Sequence, residues 1–150
     1  PFNDKVKAYL VYATELINSV KNLRPAMATC GKISDATDTA GRVAALKACS
    51  SELQGVTDIP NAEMKTFIST IGTSYGEYAT IYEKSAALTN PFGSQYEQYK
   101  ALRDQMSAVQ KKISEASSTL SDSLEKRDDE MSVKDSAKAL GDFLTEKQKS

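Results

Sequence analysis

Histidine, the side chain that most often acts as an acid–base catalyst in proteins, is missing from this sequence, and nothing in its pattern brings two of the plentiful carboxylates into one pocket. The chain of 150 residues contains no histidine, which excludes Ser-His-Asp and Cys-His catalysis, zinc sites built on imidazole, and pH switching by an imidazole. It also contains no glycine-rich phosphate loop, no Gly-x-Ser-x-Gly nucleophile motif and no EF-hand loop. We therefore expect no catalytic residue, no cofactor and no metal, and we do not expect an enzyme.

The two cysteines, Cys30 and Cys49, could form a disulfide or remain as reduced thiols in a cytosolic helix pair. A bridge would close a loop of about 20 residues and stabilise the fold by about 3 kcal/mol in the chain-entropy model. We favour the bridge because two antiparallel helices should bring these residues together. An extracellular, oxidising compartment is then favoured over the cytoplasm.

Charged residues are spread evenly along the chain. Residues 1–60 carry seven basic and six acidic side chains, and residues 61–150 carry twelve and fourteen. Because neither part is basic, we expect no nucleic-acid partner. The acidic run 128–130 would point in three directions around a helix, so we interpret it as solvated surface rather than as a cation site.

Tyrosines are concentrated around Pro91. Five of the seven lie on its two sides: Tyr75, Tyr78, Tyr82, Tyr96 and Tyr99. If the chain folds back at this proline, the five rings would collect at one end of a bundle and could form a binding patch, since tyrosine suits a surface that is apolar on one side and wet on the other. The alternative is that they line the edge of the core with their hydroxyls in water.

The elements that must position these residues are helices. Prolines and glycines interrupt the chain at wide intervals, and between them apolar residues recur every three or four positions, which is the helical period. We find no convincing strand. The sequence therefore predicts an all-α fold: an up-and-down bundle of about four to five helices, with one long heptad-patterned helix, forming a single domain over residues 1–150.

The first helix is predicted over residues 3–23, with a break or kink at Pro25. Its core-facing stripe comprises Val6, Tyr9, Leu10, Ala13, Leu16, Ile17, Val20 and Leu23. A loop should follow over residues 31–41, with a helix cap at Ser34, Asp35 or Asp38. The second helix should end near Gln54, before Gly55. Its predicted buried residues are Ala40, Val43, Ala44, Leu46 and Leu53.

The third helix is predicted over residues 61–88. Within it, Gly72 and Gly76 are four residues apart, and we interpret them as a smooth strip for close helix packing. A capping box formed by Ser94 and Glu97 should open the fourth helix. There, a strict heptad alternation is carried by Tyr99, Leu102, Met106, Val109, Ile113, Ala116 and Leu120.

The heptad stripe predicts coiled-coil-like packing against another helix of the same chain or against the same helix of a second subunit. The pattern weakens after Leu124, so the fourth helix could continue past Glu130 or end there. A fifth, shorter helix capped by Ser132 would follow a break.

Taken together, these features predict a non-enzymatic protein that acts by contact with a protein partner or by self-association. A carrier of a small hydrophobic ligand such as a lipid is an alternative, with a slot between helices near the small-residue second helix. A further alternative is a membrane-binding dimer of the BAR type. A lipid or membrane surface therefore stays among the candidate partners.

Overall fold

The computed structural model describes residues 2–131 and 133–149, and within them it contains helices and no strand. The five α-helices are α1 (Phe2–Gly31), α2 (Thr39–Gln54), α3 (Ala62–Ala86), α4 (Tyr96–Glu130) and α5 (Val133–Lys149), with a short 3₁₀ helix η1 (Lys32–Asp35) after α1. The predicted all-α class is confirmed.

Helix α3 is the centre of the assembly, because both α2 and α4 pack along it. Helices α3 and α4 are antiparallel: Glu77 pairs with Lys112 at 3.4 Å, and Glu63, about four turns closer to the start of α3, pairs with Arg127 at 3.8 Å. Helix α1 packs against α2, and α5 contacts both α1 and α4. The stripe of α4 therefore meets a helix of its own chain.

The interface between α2 and α3 depends on the two glycines of α3. A Cβ atom on Gly72 would lie 3.2 Å from the Leu53 Cβ, and one on Gly76 would lie 2.8 Å from the Ser50 Oγ. The Ser50 hydroxyl donates a hydrogen bond of 2.7 Å to the Gly72 carbonyl. The predicted role of these glycines in close packing is confirmed.

The core lies where α1, α2, α3 and the loop between α2 and α3 meet. Its buried members are Leu23, Ala26, Cys49, Leu53, Ile59, Met64, Ile68 and Ile71. Helix α4 covers this cluster with three residues of its predicted stripe, Ile113, Ala116 and Leu120, which are partly buried against it. Further along the stripe, Leu102 and Val109 are buried.

Helix α1 does not break at Pro25, so the predicted break is wrong, while the alternative of a kink stays a prediction. The helix continues for six further residues to Gly31. Proline removes one backbone hydrogen bond and crowds the preceding turn. Here the turn that follows is held by tertiary contacts, because Ala26 is 1% exposed in the core and Cys30 is bonded to Cys49.

The predicted core stripe of α1 is also wrong in part. Leu10, Ile17 and Val20 are exposed at 56%, 65% and 42%. The helix instead buries Tyr12 and Ser19, and the Ser19 hydroxyl accepts a hydrogen bond of 3.0 Å from the Asn61 N–H. Apolar residues surround much of α1, whereas its neighbours cover one side. The choice of side depends on contacts that helical periodicity does not encode.

The predicted burial of small residues in α2 is wrong in the same way. Ala40 and Ala44, predicted in the core, are exposed, whereas Cys49 and Ser50 are buried. The bridge to Cys30 and the hydrogen bond from Ser50 to α3 turn that side of the helix inward. The disulfide and the hydrogen bond at these two positions therefore determine which side of α2 is buried, because alanine is only weakly apolar.

Of the helices α2, α3 and α4, two begin at a residue whose side chain caps the helix. Among the candidates for α2, Asp38 is the cap, with its Oδ1 accepting from the Gly41 N–H at 2.6 Å. Asn61 caps α3 in the same way through the Met64 N–H. The predicted capping box at Ser94 is wrong, because α4 begins at Tyr96 after Gln95, whose side chain has no capping bond.

The turn before α4 uses Gln95 in a different way. Its Oε1 accepts a hydrogen bond of 2.8 Å from the Asn90 N–H, and the Asn90 carbonyl accepts from the N–H groups of Gly93 and Gln95. This ring of bonds closes the turn over Pro91. At its other end α4 stops at Glu130, so of the two alternatives left open the structure has the break, while the proposed cap Ser132 lies outside the described residues.

Tyr12 is a buried polar residue of α1 that lies next to the last turns of α4. Its side chain is 3% exposed, and its hydroxyl has no hydrogen-bond partner among the described residues. The Arg127 guanidinium lies 5.9 Å from the centre of its ring. Burial, and then the nearby carboxylate of Asp128, raise the pKa of the Tyr12 hydroxyl above its usual value of 10.0.

Changing Tyr12 to phenylalanine should raise the free energy of unfolding by about 1 kcal/mol at neutral pH, because the ring remains and the unpartnered hydroxyl is removed. For a chain of this length the melting temperature should rise by roughly 2–4 °C. Because the pKa is raised in the fold, the unfolded chain ionises first as the pH passes 10.0, so the wild type loses stability there relative to the variant. Thermal melts of both proteins at neutral pH and above pH 10.0 test this. A variant that melts below the wild type at neutral pH would contradict it.

Candidate interaction surface

Two tyrosines of α3 form the first of two aromatic groups. The rings of Tyr78 and Tyr82 stack with centroids 6.3 Å apart and planes 11° apart. The Arg42 guanidinium of α2 lies 5.9 Å from the centre of the Tyr82 ring and donates a hydrogen bond of 3.2 Å to its hydroxyl. On the other side, Gln110 of α4 donates a bond of 3.4 Å to the Tyr78 hydroxyl. The pair of rings therefore connects three helices.

The second aromatic group lies at the turn into α4. The Phe92 ring meets the Tyr99 ring edge to face, with centroids 5.3 Å apart and an angle of 66°. The Arg103 guanidinium lies 5.8 Å from the centre of the Tyr99 ring. Phe92 itself is 79% exposed, which is unusual for so large an apolar side chain.

The two groups share a composition and lie towards the end of α3 and the start of α4, and no ring contact or hydrogen bond joins one group to the other among the described residues. We define the tyrosine–arginine surface by its members: Arg42, Tyr78, Tyr82, Phe92, Tyr96, Tyr99 and Arg103. Of the five tyrosines predicted to form a patch, Tyr75 is directed elsewhere, since it packs against the core. Tyr96 is 47% exposed, and no ring contact is found for it among the described residues.

Local chain geometry explains how each of the two groups forms. The bonded turn at Asn90 joins the end of α3 to the start of α4, so residues on its two sides become neighbours. Asp38 begins α2 close to the end of α3, which places Arg42 in the first turns of α2 next to Tyr82. Sequence clustering points to the tyrosines, but no local signal identifies Arg42, which lies 40 residues from its partner.

The two arginines differ in their surroundings from the lysines nearby. Lys47 is neutralised by Glu83 at 2.9 Å. In the described part of the chain, neither Arg42 nor Arg103 forms an ion pair with a carboxylate. A guanidinium over an aromatic face keeps most of its five N–H donors free for a ligand, and the stacking contributes about 0.5–1 kcal/mol at an exposed site.

A groove between α3 and α4 is the feature closest to a ligand slot. Its volume is about 460 Å³. The apolar part consists of Phe67, Ala116 and Leu120, and hydroxyl and charged side chains form the remainder. It lies on a different interface from the slot expected beside α2, where a smaller cavity of about 340 Å³ is lined by Leu53 of α2 and Ile68 of α3 among others. Lipid carriage stays a prediction.

The cysteines and the acidic run can be assigned directly. Cys30 and Cys49 form a disulfide with an S–S distance of 2.03 Å, and the chain has no free cysteine. Residues 128–130 are exposed, and no group of three candidate metal ligands is found within the two described ranges. None of the helices, over the residues described, combines the length and the apolar composition that crossing a membrane requires.

Comparisons with protein-family models, with curated proteins and with solved structures find no match for this chain.

Proposed function

We propose that this protein functions by binding another protein through the tyrosine–arginine surface, and not by catalysis. The observation that carries the proposal is the pairing of two half-buried rings, Tyr82 and Tyr99, with two arginines that have no carboxylate partner in the described structure. Phe92, which meets the Tyr99 ring, is exposed. Tyrosine and arginine are enriched among the residues that dominate binding energy at protein interfaces. Rings held in place by guanidinium contacts lose little conformational entropy on binding.

The available chemistry agrees with a binding role. The chain has no histidine, and both of its cysteines are in the disulfide. Histidine, which is the most frequent acid–base group near neutral pH, and a free thiol nucleophile are therefore not available, so catalysis would depend on carboxylates, hydroxyls or amines alone. Free guanidinium donors beside aromatic faces favour a partner segment that combines carboxylates with apolar side chains.

A library of short random peptides displayed on phage tests this proposal. Selection on the wild-type chain should enrich peptides that combine acidic and aromatic or aliphatic residues. Their affinity should fall at least about tenfold, or about 1.4 kcal/mol, on the variant Arg42→Ala/Arg103→Ala. Phe92→Ser should weaken binding as well, and because Phe92 is 79% exposed this change should leave the melting temperature unaltered.

Lys84→Ala is the matched control, since Lys84 is an exposed cation on α3 outside the tyrosine–arginine surface. Selected peptides should bind this variant as they bind the wild type. Selection that yields no peptide, or peptides that bind the double arginine variant equally well, would show that this surface is not the binding site.

A further inference from the structure

The exposed side of α1 carries a second apolar stripe that no helix of the described structure covers. Leu10, Ile17, Val20 and Met27 are exposed at 56%, 65%, 42% and 49%. With Ala13 and Arg24 they fall at alternating steps of three and four residues, which places all six along one line of the helix. We define the α1 outer face by these six residues.

The α1 outer face has the geometry of a helix-packing seam. Its strict alternation gives a narrow stripe with apolar residues at the a and d positions of a heptad, and Arg24 occupies one of the a positions. Interfacial membrane helices carry Trp, Phe or Leu over a broad apolar side, whereas this stripe is narrow and has no aromatic residue. A helix partner therefore fits it better than a lipid surface.

The charges around the stripe are of one sign. Arg24 lies within it, and Lys7 and Lys21 occupy the flanking e positions. Among the described residues, no carboxylate pairs with any of these three. A partner helix that covers the stripe must therefore supply carboxylates, one of them opposite Arg24, because a covered guanidinium without a partner is strongly unfavourable.

A second copy of the chain does not meet this requirement. In an antiparallel pair that places Ile17 opposite Val20 of the second copy, Arg24 lies opposite Ala13 of that copy. A parallel pair would instead bring the two Arg24 side chains together. In both arrangements two guanidiniums become covered with no carboxylate facing them.

We propose that the α1 outer face is a docking site for an acidic amphipathic helix of another protein, with leucine-like residues along the stripe and glutamates facing Lys7, Lys21 and Arg24. This helix would pack as in a coiled coil, with charge complementarity setting its register. The site is separate from the tyrosine–arginine surface and does not depend on it.

Two synthetic peptides of a few heptads test the site on the full-length chain. Both carry leucine at the other a and d positions; one has glutamate, and the other lysine, at e and g and at the core position opposite Arg24. We expect the glutamate peptide to bind at least about tenfold more tightly than the lysine peptide. Arg24→Glu should reduce or reverse the difference in affinity between the two peptides. If Arg24 only stabilised the fold, this variant would not change which peptide binds more tightly.

Ile17→Lys should abolish binding of the glutamate peptide, and the fold should persist because Ile17 is 65% exposed. Asn18→Lys is the matched control: it introduces the same charge at an exposed neighbour about 100° around the helix and should leave binding intact. Helicity measured by circular dichroism confirms that both variants are folded.

Four results would overturn the proposal. One is equal binding of both peptides, and another is binding that Ile17→Lys does not weaken. Sedimentation of the chain alone as a dimer that Ile17→Lys dissociates would assign the face to a second copy. Binding to phosphatidylserine vesicles that Ile17→Lys abolishes, with no binding of the glutamate peptide, would assign it to a membrane surface.

Discussion

Replacing Cys30 and Cys49 together by alanine should lower the free energy of unfolding by about 3 kcal/mol, because the bridge closes a loop of about 20 residues in the unfolded chain. Cys49 is 0% exposed and belongs to the core cluster, so the lost sulfur contacts add to the effect. For a chain of 150 residues the melting temperature should fall by roughly 6–12 °C. Thermal unfolding followed by circular dichroism measures it.

Reductant provides the control for this prediction. Reduced wild-type protein should melt close to the double alanine variant, whereas the variant itself should not respond to reductant. A wild type whose melting curve is the same with and without reductant would show that the bridge contributes nothing to stability. The last turn of α1 would then have to be held by Leu23 and Ala26 alone.

The parts of the fold that the sequence predicts are those set by local chemistry. Helix α2 ends at Gln54 as predicted, because Gly55 follows it, and Asp38 is among the predicted caps. The predicted stripe of α4 coincides with residues that are buried or partly buried, such as Leu102, Val109 and Ile113. Breakers, caps and periodicity act within a few residues, so they can be recognised without knowing the fold.

The errors concentrate on α1, where tertiary contacts decide the outcome. Periodicity places Leu10 and Ile17 in the core, but the hydrogen bond from Asn61 to Ser19 and the burial of Tyr12 turn the other side inward. A helix with apolar residues on two sides has no single orientation by periodicity alone. The misassigned side is the α1 outer face, so this failed prediction marks a surface available to a partner.

Sequence reasoning points to the tyrosines of the candidate site but does not identify its arginines. Clustering around Pro91 points to Tyr78, Tyr82 and Tyr99, and the structure places the first two in one aromatic group and Tyr99 in another. That they form one binding patch stays a prediction. The contact between Arg42 and Tyr82 spans 40 residues and depends on how α2 packs along α3. The position of the Arg42 charge beside Tyr82, on which the proposed acidic partner depends, can therefore be recognised only in the folded chain.

Gly72→Leu should lower the free energy of unfolding by about 3 kcal/mol or more, by forcing α2 away from α3. The new Cβ would lie 3.2 Å from both the Leu53 Cβ and the Gln54 Cγ, and the rest of the leucine side chain has no space beyond them. Separating the helices would also stretch the hydrogen bond from Ser50 to the Gly72 carbonyl. Urea unfolding of wild type and variant gives the difference directly.

Gly141→Ala is the matched control, since Gly141 lies inside α5 and a Cβ there meets nothing within 4 Å. Alanine has the higher helix propensity, so this variant should gain about 0.5–1 kcal/mol. Leucine at position 72 has the same advantage in propensity, and the opposite sign of its effect would therefore isolate the steric contribution of the α2–α3 contact. If Gly72→Leu is as stable as the wild type, the two helices can separate without loss, and close packing at Gly72 does not hold them together.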